Sequence, residues 1–74
     1  MNSLQPDLDA AELLVGLPVA EVEQGLILAT LRQTEGNRTH AAQLLGISIR
    51  TMRNKLREYA ERGATIPASD QHNG

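Results

Sequence analysis

The sequence predicts an all-α fold: a small helical domain in which one long helix precedes two shorter ones. Apolar residues recur at helical spacing in three successive stretches. Each stretch is bounded by residues typical of helix starts and ends: Pro18 and Gly36, Asn37 and Gly46, Ser48 and Gly63. The chain has 74 residues, enough for one domain at most.

The first of these helices is expected from residue 19 to about residue 34. Pro18 suits a first-turn position, and Gly36 stops the helix. Its apolar residues form two adjoining stripes, a wider apolar surface than one packing partner can cover. We therefore expect one side to pack on the following helices and the other to meet a second subunit. The expected homodimer interface consists of Val22, Leu26, Ile27 and Ala29.

The composition supports a homodimer because the chain has few large side chains from which to build a core of its own. The chain has no Phe, Trp or Cys and a single Tyr, and a domain of this size is marginally stable on its own. Disulfides are excluded, His40 and His72 are too far apart to suggest a metal site, and no cofactor is expected. With no long apolar run and no signal-peptide pattern, we expect a cytoplasmic protein without a membrane partner.

Two short helices should follow the long one. Asn37 is a good N-cap for a helix of about eight residues that Gly46 ends in the left-handed conformation. Ser48 then caps a helix that ends at Gly63. One buried face of this last helix is indicated by the spacing of Met52, Leu56 and Tyr59.

The domain boundaries follow from these elements. Residues 1–17 are expected to be a weakly ordered segment or linker, although residues 7–15 could form a short helix or a pairing segment. Residues 18–63 form the predicted domain. Residues 64–74, rich in small and polar side chains, are expected to be a disordered tail.

Charge is segregated along the chain. Residues 1–36 carry a net charge of −5, residues 37–57 carry five basic and no acidic residues, and residues 58–74 carry −2. The overall charge of −2 therefore hides a strongly basic block. A phosphate backbone responds to such a local block rather than to the total, so double-stranded DNA is the expected partner.

The basic block has the layout of a helix-turn-helix, in which the second helix enters the major groove and the first crosses the backbone. Ala41 and Ala42 allow the two helices to approach closely, and Gly46 allows the sharp turn. Ile49 could touch a thymine methyl group, but it shares a face with Met52, which favours core packing. The expected base contacts are Ser48, Arg50, Thr51, Arg53 and Asn54. The expected phosphate contacts are Asn37, Arg38, Thr39, His40, Lys55 and Arg57.

Residues 36–59 resemble the Fis-type helix-turn-helix that closes many bacterial enhancer-binding regulators of the NtrC type. The most specific parts are Gly-Asn-Arg-Thr at 36–39 and Ala-Ala-x-Leu-Leu-Gly-Ile-Ser at 41–48. The fuller stretch 14–58 is most similar to flagellar regulators of that type from alphaproteobacteria. The resemblance implies a dimer formed through the first helix. It also implies a parent protein whose ATPase module works with RNA polymerase and an alternative, activator-dependent sigma factor.

No phosphate-loop motif for such a module occurs in the chain. We therefore expect a domain of a larger regulator, the alternative being a stand-alone Fis-like nucleoid protein. By position, the phosphate-contacting Asn and Thr of the family fall on Asn37 and Thr39. Its groove-facing positions fall on Ser48, Ile49, Arg50, Arg53 and Asn54. Some members have Arg or Lys where this chain has Ile49 and Asn54, and an isoleucine cannot read guanine, so their target sequences do not transfer.

Two other classes of function account for less of the sequence. A helical dimer that acts as a protein-interaction adaptor would account for the acidic N-terminal half and the broad apolar helix, but not for the acid-free block 37–57. An enzyme is disfavoured because no nucleophile has a base at plausible distance and the chain is too short to enclose a substrate. We therefore expect no catalytic residues.

Overall fold

The computed structural model describes residues 8–68, and this part of the chain is entirely helical and without strands. Its helices are α1 (Leu8–Glu12), α2 (Val19–Gln33), α3 (Arg38–Leu45) and α4 (Ile49–Glu61). The predicted all-α class is confirmed, and α2, α3 and α4 match the predicted helices within about two residues at each end. None of the helices within residues 8–68 combines the length and apolar content that crossing a membrane requires.

The connection between α2 and α3 is tight because its polar groups bond locally. Glu35 and Gly36 both have positive φ angles, 56° and 82°, which reverse the chain after the last turn of α2. The Gly36 N–H donates to the Leu31 carbonyl at 2.8 Å. The Thr34 hydroxyl lies 3.0 Å from the Leu31 carbonyl and 3.1 Å from the Asn37 carbonyl. These bonds fix where α3 starts relative to the end of α2.

The core lies where α2, α3 and α4 meet. Each helix contributes two or three fully buried side chains: Ile27 and Leu31, Ala41 and Ala42, and Met52, Leu56 and Tyr59. Ile49 is partly buried and packs against this cluster, as its shared face with Met52 indicated. The two alanines bring the backbone of α3 close to its neighbours, since neither projects more than a methyl group.

The structure corrects the predicted interface at Ile27. This side chain is 2% exposed and lies in the core of its own protomer, so it offers no surface to a second chain. The reason is that Ile27 lies one helical turn before Leu31 and shares its inward direction. Leu26, the residue immediately before Ile27, points to another side of the helix and is 57% exposed. The outer side of α2 is therefore formed by Val22, Leu26 and Ala29 without Ile27.

The structure also differs from the predicted disordered tail. Ala64 and Ile66 are partly buried and pack against the core. Gly63, at φ 93°, ends α4 and turns the chain back, and the Ala64 N–H donates to the Tyr59 carbonyl at 3.0 Å. Ordered packing thus extends past residue 63. The remaining predictions for residues 1–7 and 69–74 lie outside the described residues.

The turn between α3 and α4 requires a left-handed backbone conformation at Gly46, and this requirement can be tested. This residue has φ 73° and ψ 27°, and a Cβ built on it would meet no atom within 4 Å. Gly46→Ala should therefore destabilise the domain by about 1–2 kcal/mol through backbone strain alone, and Gly46→Asn should cost less because Asn tolerates this conformation better. Urea unfolding followed by circular dichroism measures both, and wild-type stability of Gly46→Ala would contradict the strained-turn argument.

Candidate nucleic-acid interface

Two capping residues position the helices of the basic block. The Asn37 Oδ1 accepts a hydrogen bond from the His40 N–H at 3.0 Å. The Ser48 Oγ accepts one from the Thr51 N–H at 3.0 Å, and the Ser48 hydroxyl lies 3.0 Å from the Thr51 Oγ1. Such caps satisfy backbone donors that the first helical turn leaves unpaired. Ser48 and Thr51, both predicted base contacts, are therefore hydrogen-bonded to each other at the start of α4.

One side of α4 points away from the core, and we call it the basic face. It consists of Arg50, Arg53, Asn54 and Arg57. Their i, i+3, i+4, i+7 spacing places them on one side of the helix. The three arginines are exposed and Asn54 is partly buried. The Arg57 Nη2 donates to the Asn54 Oδ1 at 2.9 Å. Four of the predicted DNA contacts thus lie together on one exposed surface.

The chemistry of the basic face suits nucleic-acid recognition. Each guanidinium presents donors in a planar fork that can bond bidentately to guanine or to a phosphate. An asparagine can bond bidentately to adenine, and the bond from Arg57 orients the Asn54 amide. The basic face therefore offers both base-reading and phosphate-binding groups within two turns of one helix.

The start of α3 forms a second cationic region. Arg38 is its first residue, and the first turn of α3 contains no acidic side chain. The Arg38 side chain is partly buried, and its Nε has no hydrogen-bond partner among the described residues. Thr39 and His40 are exposed beside it. Helix N-termini attract anions through their free N–H groups and dipole, so this region is suited to a phosphate.

Lys55 does not belong to the basic face. Its Nζ lies 3.0 Å from the Glu23 Oε1, and the two side chains are 29% and 48% exposed. The hydrogen bond to Glu23 is the main cause that raises the pKa of Lys55 above its usual value. Glu23 belongs to α2, so this ion pair joins α2 to α4. Sequence reasoning missed it, because the two residues are 32 positions apart and no local pattern links them.

Exposed apolar side chains lie along the first half of α2 and in the segment before it. Leu13, Val15 and Val19 are each 83% exposed. Residues 1–17 are predicted to be weakly ordered, apart from a short helix or pairing segment at 7–15, and are not part of the predicted dimer interface. The density of apolar residues between 13 and 19 was the available signal for an interface here. We call this surface the apolar flank: Leu13, Leu14, Val15, Leu17, Val19 and Leu26. Where exposed apolar side chains form one contiguous patch, that patch typically marks an interaction site.

Comparison with known proteins places the chain in a family. The family described as Bacterial regulatory protein, Fis family, matches residues 18–59, the stretch that contains α2, α3 and most of α4. The chain is 60% identical over 58 residues to the Transcriptional regulatory protein FlbD of Caulobacter vibrioides, a match that covers 78% of this chain and 13% of FlbD.

Shorter relatives also match the chain. The chain is 49% identical over 43 residues to the DNA-binding protein Fis of Proteus mirabilis, covering 58% of this chain and 44% of that protein. The DNA-binding protein Fis of Vibrio cholerae is 46% identical over 43 residues, with the same coverage. No solved structure matches the chain. The chain spans less than half the length of these relatives, and it belongs to the Fis family of bacterial regulatory proteins.

Proposed function

We propose that the chain is the DNA-binding domain of a bacterial transcription regulator and that it binds double-stranded DNA sequence-specifically as a homodimer. The observation that carries the proposal is the basic face of α4, on which three exposed arginines and Asn54 lie together. In this proposal α4 enters the major groove and the start of α3 contacts the phosphate backbone. The names of the relatives, a transcriptional regulator and a DNA-binding protein, support it.

The roles of the two regions differ in what they recognise. Arg50 and Arg53 lie in the N-terminal half of α4, where a recognition helix meets base edges, and we assign them to base reading. Arg38 and Thr39 lie at the N-terminus of α3, where backbone N–H groups and the side chains can bind the same phosphate. Phosphate contacts position a protein on DNA without reading its sequence.

The homodimer is supported by the apolar surface that the protomer leaves uncovered. Leu26 is 57% exposed on the outer side of α2, and it adjoins Val22 and Ala29 by helical spacing. A second copy related by a two-fold axis would cover this side of α2 and the apolar flank together. A dimer would also place two recognition helices on one duplex, as helix-turn-helix proteins require for two half-sites.

The relatives support membership of a larger protein. The match covers 13% of FlbD, so a domain of this kind is a small part of that regulator. On this proposal, contacts with RNA polymerase and an alternative sigma factor belong to the remainder of a parent protein. This chain binds the specific DNA site.

The first test is the salt dependence of binding to any duplex. Two copies of the 37–57 block offer ten basic residues, and roughly 6–10 phosphate contacts would give a slope of log binding constant against log salt of about −5 to −9. Fluorescence anisotropy with a labelled random duplex at several salt concentrations measures this slope. A slope near zero would show that the basic block is not a DNA surface.

The second test separates specificity from affinity. Arg53→Ala should weaken binding to the best site by about 1–3 kcal/mol and relax the preference at one base pair in each half-site. Arg38→Ala should weaken specific and random DNA about equally. The best site is obtained by selection from a random duplex pool, and the measured quantity is the ratio of specific to random affinity at one fixed salt concentration. The opposite pattern, a ratio lost in Arg38→Ala and kept in Arg53→Ala, would reverse the assigned roles.

The third test addresses the dimer. Leu26→Asp should give a monomer, because it places a charge in the proposed apolar contact, where burial is costly. Leu44→Asp is the matched control: Leu44 is 62% exposed and lies on α3, outside the proposed contact, so this variant should stay dimeric. Sedimentation gives the oligomeric state, and circular dichroism checks that both variants remain helical. A helical Leu26→Asp that is still dimeric would contradict the interface.

A further inference from the structure

Asn54 lies on the side of α4 opposite the core. At about 100° per residue, it is about 140–160° round the helix from the buried Met52, Leu56 and Tyr59. Arg50 lies within about 40° of the same direction. Asn54 is also the sixth of the 13 residues of α4, in the N-terminal half that meets base edges in a recognition helix. Under the proposed function, Asn54 therefore faces the major groove.

The amide of Asn54 is held by Arg57, which follows it by three residues on the same side of the helix. The Arg57 Nη2 donates to the Asn54 Oδ1 at 2.9 Å. A guanidinium has donors and no acceptor, so it can bond only to the oxygen end of an amide. A donor that carries a positive charge also makes a stronger hydrogen bond than a neutral one. The bond therefore fixes the amide: its oxygen faces Arg57, and its NH2 group, with two donor hydrogens, faces away from Arg57.

An amide fixed in this way suits a different base from an amide that can turn. Asparagine reads adenine by two bonds, in which the oxygen accepts from the N6 amino group and the nitrogen donates to N7. In this domain the Asn54 oxygen already accepts from Arg57, and the positive charge beside it repels the amino hydrogens of adenine. Guanine presents two acceptors in the major groove, N7 and O6. Both acceptors suit the NH2 group of Asn54 and the neighbouring positive charge.

We propose that Arg57 sets the base preference of Asn54, so that Asn54 reads guanine instead of adenine. The inference rests on the proposed DNA binding and makes Arg57 a positioning residue for base recognition. This role differs from the phosphate contact that the sequence predicts for Arg57. A phosphate contact adds affinity for every DNA sequence alike, whereas a positioning residue changes the preference at the one base pair that Asn54 reads.

The test measures base preference in the full chain. The best site is selected from a random duplex pool, and affinities are then measured for duplexes that differ from it at one base pair. Asn54→Ala identifies the base pair that Asn54 reads, because the preference is lost there. At that pair the wild-type chain should prefer guanine to adenine by about 5-fold or more.

The variants of Arg57 show whether this preference depends on the bond to Asn54. In Arg57→Gln the preference should fall below about 2-fold or turn toward adenine, because a neutral glutamine can donate or accept and no longer fixes the amide. Arg57→Lys should keep the preference for guanine, since a lysine still supplies a charged donor to the Asn54 oxygen. The double variant of Asn54→Ala and Arg57→Gln should show no change at this pair beyond that of Asn54→Ala, because the two residues act as one unit.

Arg38→Gln is the matched control. It removes one positive charge, as Arg57→Gln does, but at the start of α3, which is assigned to a phosphate. Its affinity should fall equally for all four bases at the pair that Asn54 reads, and the preference for guanine should remain. If Arg57→Gln behaves in the same way, Arg57 is a phosphate contact only and the proposal is wrong. Circular dichroism checks that the compared proteins are equally helical.

Two further outcomes would overturn the inference while the proposed function stands. One is a wild-type chain that binds DNA specifically but prefers adenine at the pair that Asn54 reads. The other is an Asn54→Ala variant whose base preferences equal those of the wild-type chain at every pair. If the wild-type chain shows no salt-dependent binding to DNA, the proposed function itself fails, and this inference fails with it.

Discussion

The arrangement of this domain depends on how closely α3 approaches its neighbours. Ala41 and Ala42 are 0% and 2% exposed, and they are the buried residues that α3 contributes to the core. Because their side chains end at a methyl group, the backbone of α3 can lie against the larger apolar residues of α2 and α4. A larger side chain at either position would overpack this contact and displace α3. Since α3 leads directly into the turn at Gly46, the direction of α4 and of its basic face depends on the same contact.

The core of the protomer is small, and a small core limits the stability of a protomer on its own. The only aromatic ring of the chain belongs to Tyr59, which is 3% exposed. Its hydroxyl has no hydrogen-bond partner among the described residues, and burial raises the pKa of this group. Meanwhile the apolar flank remains in solvent. A protomer that buries so little of its apolar surface would gain stability if a second copy covered the rest, and oligomerisation is common in domains of this size.

Acidic and basic residues are also segregated within this small domain. The acidic residues lie mainly before α3 and the basic ones on α3 and α4, so the field of the domain favours approach of DNA to one side. The Glu23–Lys55 pair lies on the boundary between these regions. Through this pair, α2, which contributes to the core and to the proposed dimer contact, also binds one cation of the basic block.

The sequence alone determined the helices and the composition of the basic block, because the signals involved are local. Asn37, Gly46 and Ser48 define helix ends through bonds and backbone angles within a few residues, and the spacing of the arginines places them on one side of α4. The tertiary structure decided the relations between distant residues. Two adjoining stripes on α2 could not reveal which one faces the core, so Ile27 was assigned to the wrong side. The bond of Lys55 to Glu23 and the packing of Ile66 on the core depend on how the helices dock, and no residue spacing encodes that.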